Sequence, residues 1–307
     1  MLSTCCISTG KLALILTLVG QWMLLASGTG VKAIVLKVLT EEHLVYQADL
    51  EMAIHEMLFN EIPKADIIQG DQLSALKSML QVLENYHPLD KKGDLVISSL
   101  NEFVLNANYK LCGANIKRKL QNLIKRTPTP MFSSNKFVGC VSLEPNKRGY
   151  TCSLWMLFHY LTIQSQRLNK SPDPLEVLTA IHGYVQFFFG CNECSNRFQE
   201  MVERREMGKV SSKAEAVLWL WEAHNEINNC LARHLAEDPI FPKIQFPSES
   251  SCPQCRKRGS SSTINWNRDA VLEFLLNIYD PSCIGFYGTD NESNAARSNR
   301  FKVRSLH

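Results

Sequence analysis

Two Cys-x-x-Cys motifs constrain this chain most: Cys191-Asn-Glu-Cys194 and Cys252-Pro-Gln-Cys255. Zinc modules built from two such motifs keep them about fifteen to twenty residues apart. Here residues 195–251 intervene, with helix-forming patterns and many aromatic side chains. The spacing favours two separate dithiol or disulfide centres and disfavours a structural zinc protein. The first motif follows Phe187-Phe188-Phe189-Gly190 and opens a helical pattern. Cys191 then stands at the helix mouth and Cys194 inside it. Backbone N–H groups and the helix dipole stabilise a thiolate there, which brings a cysteine pKa from about 8.5 toward about 3.5–7.5.

Eleven cysteines in 307 residues suit a compartment where disulfides persist. The N-terminus agrees: Lys11, an apolar run from Leu12 to Leu25, then Ala26-Ser27-Gly28. This pattern reads as a signal peptide over residues 1–28, with a signal anchor as the alternative. Its apolar run is shorter than the ~20 residues of a spanning helix, so no membrane span is expected in the mature chain. Loss of the leader takes Cys5 and Cys6 and leaves nine cysteines, an odd number. At least one thiol is then free or pairs between chains. Asn169 and Asn291 open glycosylation triplets, a weak signal. The expected location is the ER or Golgi lumen, or outside the cell. A net charge of +3 gives no case for a nucleic-acid partner, and Arg256, Lys257 and Arg258 read as a solvated loop.

The periodicity is helical nearly throughout, and the expected class is all-α. Tyr46, Leu50, Ile54, Met57 and Leu58 recur at three- and four-residue steps. Leu73, Leu76, Leu80 and Leu83 mark a second helix, ended by His87-Pro88. Residues 95–107 and 116–125 read as two more. Thr127-Pro-Thr-Pro130 with Ser133 and Ser134 reads as a linker or exposed loop, separating a helix-rich region over 44–127 from a second domain over 137–286. In that domain helices are expected over 152–167, 175–189, 191–205 and 213–231, as a four-helix bundle. An extra C-terminal helix over 268–279 follows, and the tail from 288 to 307 is polar and expected to be disordered.

Two helices of the second domain carry unusual faces. Trp155 and His159 stand four apart; Trp221, His224, Asn225 and Asn228 stand at i, i+3, i+4 and i+7. A single buried Trp or His is more often core filler. A pair of Asn on such a face is different, because a buried amide without a partner costs roughly 1–3 kcal/mol. A flat polar ligand, a nucleotide or flavin ring, would satisfy them.

The segments Arg148-to-His159, Tyr184-to-Cys194 and Leu218-to-Asn228 closely resemble the FAD-binding sulfhydryl oxidase (Erv/ALR) domain of the quiescin sulfhydryl oxidases, as does Glu237-to-Lys243. Val45-to-Glu51 and the helices after it resemble that family's helix-rich region more weakly, as a flavin-free partner of the bundle. The resemblance implies Cys191 and Cys194 as the redox pair, with Cys194 toward the flavin and Cys191 exchanging with substrate thiols. It places Trp155, His159, Glu193, Arg197, Trp221, His224, Asn225, Asn228 and Phe246 around FAD. Arg148 and Lys243 would lie near its phosphates or adenosine. It implies a structural disulfide between Cys140 and Cys152. Cys252 and Cys255 match a further pair, redox-active or a staple. Arg197 stands where the family tends to have His, and Phe246 where it tends to have Trp, so retuned flavin binding is expected.

The implied activity is FAD-dependent oxidation of thiols by O2 to disulfide and hydrogen peroxide, with protein thiols or small dithiols as substrates. Relatives carry an N-terminal thioredoxin domain, for which the residues between leader and Leu44 leave no room. Some also carry a C-terminal span without a counterpart here. Cys112 is single and cannot replace a dithiol relay. A separate thioredoxin-like protein is therefore an expected partner. The alternative is a flavin-bound scaffold of weak activity.

Overall fold

A computed structural model describes residues 34–35, 45–126, 130–142, 144, 147–232, 237–257 and 264–289. The expected leader, the Thr127–Thr129 part of the linker, Asn291 and most of the tail lie outside them.

The described chain is all-α, with helices α1 Gln47–His55, α2 Gly70–Tyr86, α3 Lys91–Leu105, α4 Gly113–Arg126, α5 Gly149–Leu168, α6 Glu176–Phe187, α7 Asn192–Arg204, α8 Lys213–Leu231 and α9 Arg268–Ile278. Among the described residues the one sheet is a two-residue antiparallel pair, β1 Ile68–Gln69 with β2 Lys110–Leu111. The first helical pattern does not stay an α-helix. After His55 it widens into a π-helical turn, Glu56–Glu61, then tightens into a 3-10 turn, Ile62–Lys64. Pro63 sits in the first positions of that turn, where its missing N–H costs nothing.

The chain divides into two compact units that do not follow sequence order. One comprises residues up to Asp49, Lys136–Trp155 and Trp221 onward; the other comprises Leu50–Asn135 and Met156–Leu220. These units are drawn differently from the stretches 44–127 and 137–286 expected from the sequence. The long helices α5 and α8 each run from one unit into the other, which no local composition signals.

In the unit built on Leu50–Asn135 and Met156–Leu220, α2 packs along α6. Leu73, Leu76, Leu80 and Leu83 are buried, the face their spacing marks, opposite the buried Val177, Ile181 and Tyr184 of α6. The helices approach closely at Gly183, where an added Cβ would meet the Ala75 Cβ at 2.7 Å. At the far end the Tyr86 hydroxyl donates to Glu176 Oε2 at 2.9 Å. Asp90 caps α3, accepting from Lys92 N at 3.0 Å. Ser133 and Ser134 are no free linker: the buried Glu51 carboxylate accepts from Ser133 N and, at 2.8 Å, from Ser133 Oγ, and also from Ser134 N.

In the other unit, residues 45–47 pair with the chain near Gly285, Gln47 N donating to Gly285 O at 2.9 Å. Tyr46, Ala48 and Val138 form a small buried cluster there. Helix α9 packs on the 3-10 turn Pro253–Cys255 and is capped by Asn267.

Candidate redox site

The first motif heads α7. Helix α6 ends at Phe187 and not at Phe189, because Phe188 leaves helical geometry and buries its ring against Tyr184, centroids 6.1 Å apart. The following residues bring the chain to Cys191, the N-cap of α7. Cys191 and Cys194 form a disulfide, and Cys194 N donates to Cys191 Sγ at 3.2 Å. The helix head is therefore aimed at the sulfur as the sequence predicts. Ser195 Oγ donates to Val185 O at 2.9 Å and pins the first turn of α7 to α6. Cys191 is half-buried and Cys194 exposed. Both sulfurs belong to residues that a thiol can reach.

Glu193 and Arg197 pair with each other across one turn at 2.7 Å, both side chains largely in solvent. Their first role is on α7 itself. His159, on α5 in the same unit, is fully buried, and desolvation alone lowers its pKa to about 4. It is a neutral ring at physiological pH.

The other unit holds the aromatic wall. Trp155 and His224 stack face to face, centroids 4.2 Å apart and 8° between planes. Trp221 Nε1 donates to Phe246 O at 2.6 Å, and its ring meets Trp266 edge-on at 5.1 Å. Asn225 makes a reciprocal pair with the Phe246 backbone, Nδ2 to O at 2.7 Å and N to Oδ1 at 2.8 Å. Asn228 Nδ2 donates to Ile244 O at 3.3 Å. The amide groups thus have partners within the chain, where the sequence alone pointed to a ligand. The backbone of 244–246 supplies them, because an extended, proline-flanked segment has unpaired peptide groups of its own. Asn225 and Asn228 act by holding Phe246 in place, against Phe274 at 5.7 Å.

Arg148 is likewise committed to the fold. Its Nε donates to Val141 O at 3.2 Å, its Nη2 to Gly139 O, and its guanidinium lies over Phe241 at 4.0 Å. The same loop is gripped from its N–H side by Asp49, which accepts from Val138 N at 2.8 Å, Gly139 N at 2.7 Å and Cys140 N at 3.3 Å. Burial raises the Asp49 pKa to about 6 despite these bonds and the nearby Arg148. Cys140 and Cys152 close the loop as a disulfide, as the resemblance implied. Lys243 is half-buried; burial, then Arg148, lowers its pKa.

Cys252 and Cys255 also form a disulfide, and neither residue has accessible surface. Burial of both sulfur-bearing residues suits a staple better than an exchange pair. Cys112 and Cys230 are the free thiols among the described residues.

Sequence reasoning gave no role to Asp49, Phe241, Trp266 or Phe274. Asp49 lies within the quoted Val45-to-Glu51 segment, but nothing local shows that it is buried against a loop about ninety residues away.

A disulfide heading an α-helix, in residues that are not buried, has the chemistry of a thiol–disulfide exchange centre. The residues present fit FAD: the uncharged, flat Trp155, His224 and Trp221 rings suit a heteroaromatic system. Residues 152–247 match the Erv1 / Alr family, and residues 41–142 match the flavin adenine dinucleotide (FAD)-dependent sulfhydryl oxidase family. Sulfhydryl oxidase 1 of Gallus gallus is 39% identical over 234 residues, 75% of this chain and 31% of that protein. The Homo sapiens protein of the same name is 36% identical over 252 residues, 80% of this chain and 33% of that one. A solved sulfhydryl oxidase fragment of human QSOX1 superposes with a TM-score of 0.70 at 36% identity, covering 78% of this chain and 97% of that one. The chain belongs to the quiescin sulfhydryl oxidase family, whose cofactor is FAD. It spans about a third of the length of the curated relatives it matches.

Proposed function

We propose that this chain is a flavin-linked thiol oxidase with Cys191 and Cys194 as its exchange pair. The observation that carries this reading is the accessible Cys191–Cys194 disulfide at the head of α7. Trp155, His159, Trp221, His224 and Phe246 would hold the isoalloxazine or adenine, with Lys243 and Arg148 toward the diphosphate and Glu193 and Arg197 at the rim. Bound FAD would supply a two-electron acceptor that O2 can reoxidise.

The rest of the chemistry belongs to the chain. A substrate thiolate attacks Cys191 Sγ, the Cys191–Cys194 bond breaks, and Cys194 leaves as a thiolate favoured by the helix head. A second substrate thiolate attacks the substrate sulfur of the mixed disulfide and releases Cys191. Two substrate thiols become one disulfide, and the pair becomes a dithiol. Return of the pair to its disulfide completes the sum 2 R–SH + O2 → R–S–S–R + H2O2. His159, neutral at working pH, offers an uncharged wall and no competing proton.

Substrates are thiol-bearing proteins or small dithiols. A separate thioredoxin-like protein is the natural relay to folded proteins. The secretory pathway or the extracellular space is the expected location, because the described residues close three disulfides. Among the described residues no helix is long and apolar enough to cross a membrane. The test is an absorbance spectrum of the purified protein under dithiothreitol without air, then with air. A flavin band that bleaches and returns supports the reading; a colourless protein refutes it.

A further inference from the structure

One carboxylate, held against the residue that precedes the dithiol, has no part in the chemistry above. Glu61 ends the π-helical turn Glu56–Glu61, a rare geometry that recurs at functional sites. Its Oε1 pairs with Lys64 at 2.7 Å, and its side chain is 11% exposed against 64% for that lysine. Its Oε2 is buried and, among the described residues, accepts no hydrogen bond. A buried acceptor left unsatisfied costs about 1–3 kcal/mol, more when charged, so its retention calls for a reason.

The oxygen lies against the residue that precedes Cys191. A Cβ placed on Gly190 would stand 2.8 Å from Glu61 Oε2. The φ of Gly190 is not in the left-handed region. Glycine is therefore needed there for space and not for backbone conformation. Both residues lie in the same compact unit.

We infer that Glu61 is a positioning residue for the redox pair: its carboxylate, held against Gly190, opposes thiolate formation at the head of α7. The inference rests on the reading of Cys191–Cys194 as the exchange pair. The helix head favours a negative sulfur, and a carboxylate at the same end disfavours it. The charged groups on the elements that meet here include Glu56 of the same turn, beside His55, Lys64, paired with Glu61, and Glu193, paired with Arg197. Glu61 thereby keeps the reduced pair from resting as a stable thiolate and favours its return to the disulfide. Removing the charge should make the reduced pair more acidic and the disulfide easier to reduce.

The test uses the full chain, reduced with dithiothreitol under nitrogen, desalted, and alkylated with iodoacetamide across pH. Modification of Cys191 and Cys194 is followed by peptide mass spectrometry. In Glu61→Gln the alkylation midpoint should fall by about 0.5–1 pH unit, a roughly threefold to tenfold faster reaction below the midpoint. Gly190→Ala, whose methyl group displaces the carboxylate, should shift the midpoint the same way. An unchanged or raised midpoint in Glu61→Gln overturns the inference; if that protein does not fold, Gly190→Ala decides by the same criterion. The readout needs no oxygen consumption. A failed oxidase reading would show in the wild-type spectrum, and a failed Glu61 reading only in the shift between variants.

Discussion

Asp49→Asn tests how the loop at Val138, Gly139 and Cys140 is held. Asp49 is fully buried and its pKa is raised from 3.8 to about 6. A raised carboxylate pKa means that folding favours the protonated form. Its stabilisation is therefore complete below about pH 4 and is lost as pH rises through about 6. A shift of about two units corresponds to about 3 kcal/mol between those limits. Asparagine has the same shape and cannot ionise, so it escapes this loss. It does place an NH2 group near an N–H that now donates to the carboxylate, a cost of about 1–3 kcal/mol at every pH. The stability of the variant relative to wild type should thus improve by about 3 kcal/mol between pH 4 and pH 7.5. At roughly 2–4 °C per kcal/mol, the difference in Tm should change by about 6–12 °C. Thermal melts of both proteins, oxidised and in matched buffers, measure it. Other titrating groups, His159 among them, are common to both proteins and cancel. A Tm difference that stays constant with pH would refute the assignment of a buried, charged Asp49.

Replacing both Cys252 and Cys255 by Ala should leave dithiol turnover within about twofold of wild type and cost about 2 kcal/mol, the chain-entropy value for so short a loop, read as a lowered Tm. Asn225→Ala removes both bonds to the Phe246 backbone; flavin retention, read as the ratio of visible to 280 nm absorbance, should fall at least tenfold, whereas a full complement of flavin would show that the 244–246 segment needs no clip. His159, with its pKa lowered to about 4, contributes stability that is present above its unfolded value of 6.5 and lost as pH falls toward 4. His159→Phe should therefore flatten acid destabilisation in that window, and an unchanged acid limb of the melting profile would contradict its burial as a neutral ring.

Much of the fold was legible where the pattern is long and periodic. Helix α8 was expected over 213–231 and spans Lys213–Leu231. Helix α2 stops at Tyr86 because His87 precedes a proline. Cys191 could be placed at a helix mouth from its neighbours alone. The sequence did not tell what the polar groups bond to. Asn225 and Asn228 read from the sequence as ligand contacts, and their bonds to the 244–246 backbone could not be foreseen from it. Asp49 sits in a helical pattern where an acidic residue ordinarily faces water; only a loop far along the chain buries it. Glu61 falls in a turn that departs from the 3.6-residue period, so no regular pattern marks it.

The most direct measurement is oxygen uptake by the purified protein with dithiothreitol, wild type against Cys194→Ala. Wild type should consume O2 and release hydrogen peroxide in a one-to-one ratio, and the variant should fall at least a hundredfold. Undiminished uptake by Cys194→Ala would contradict the role of Cys191–Cys194 as the exchange pair.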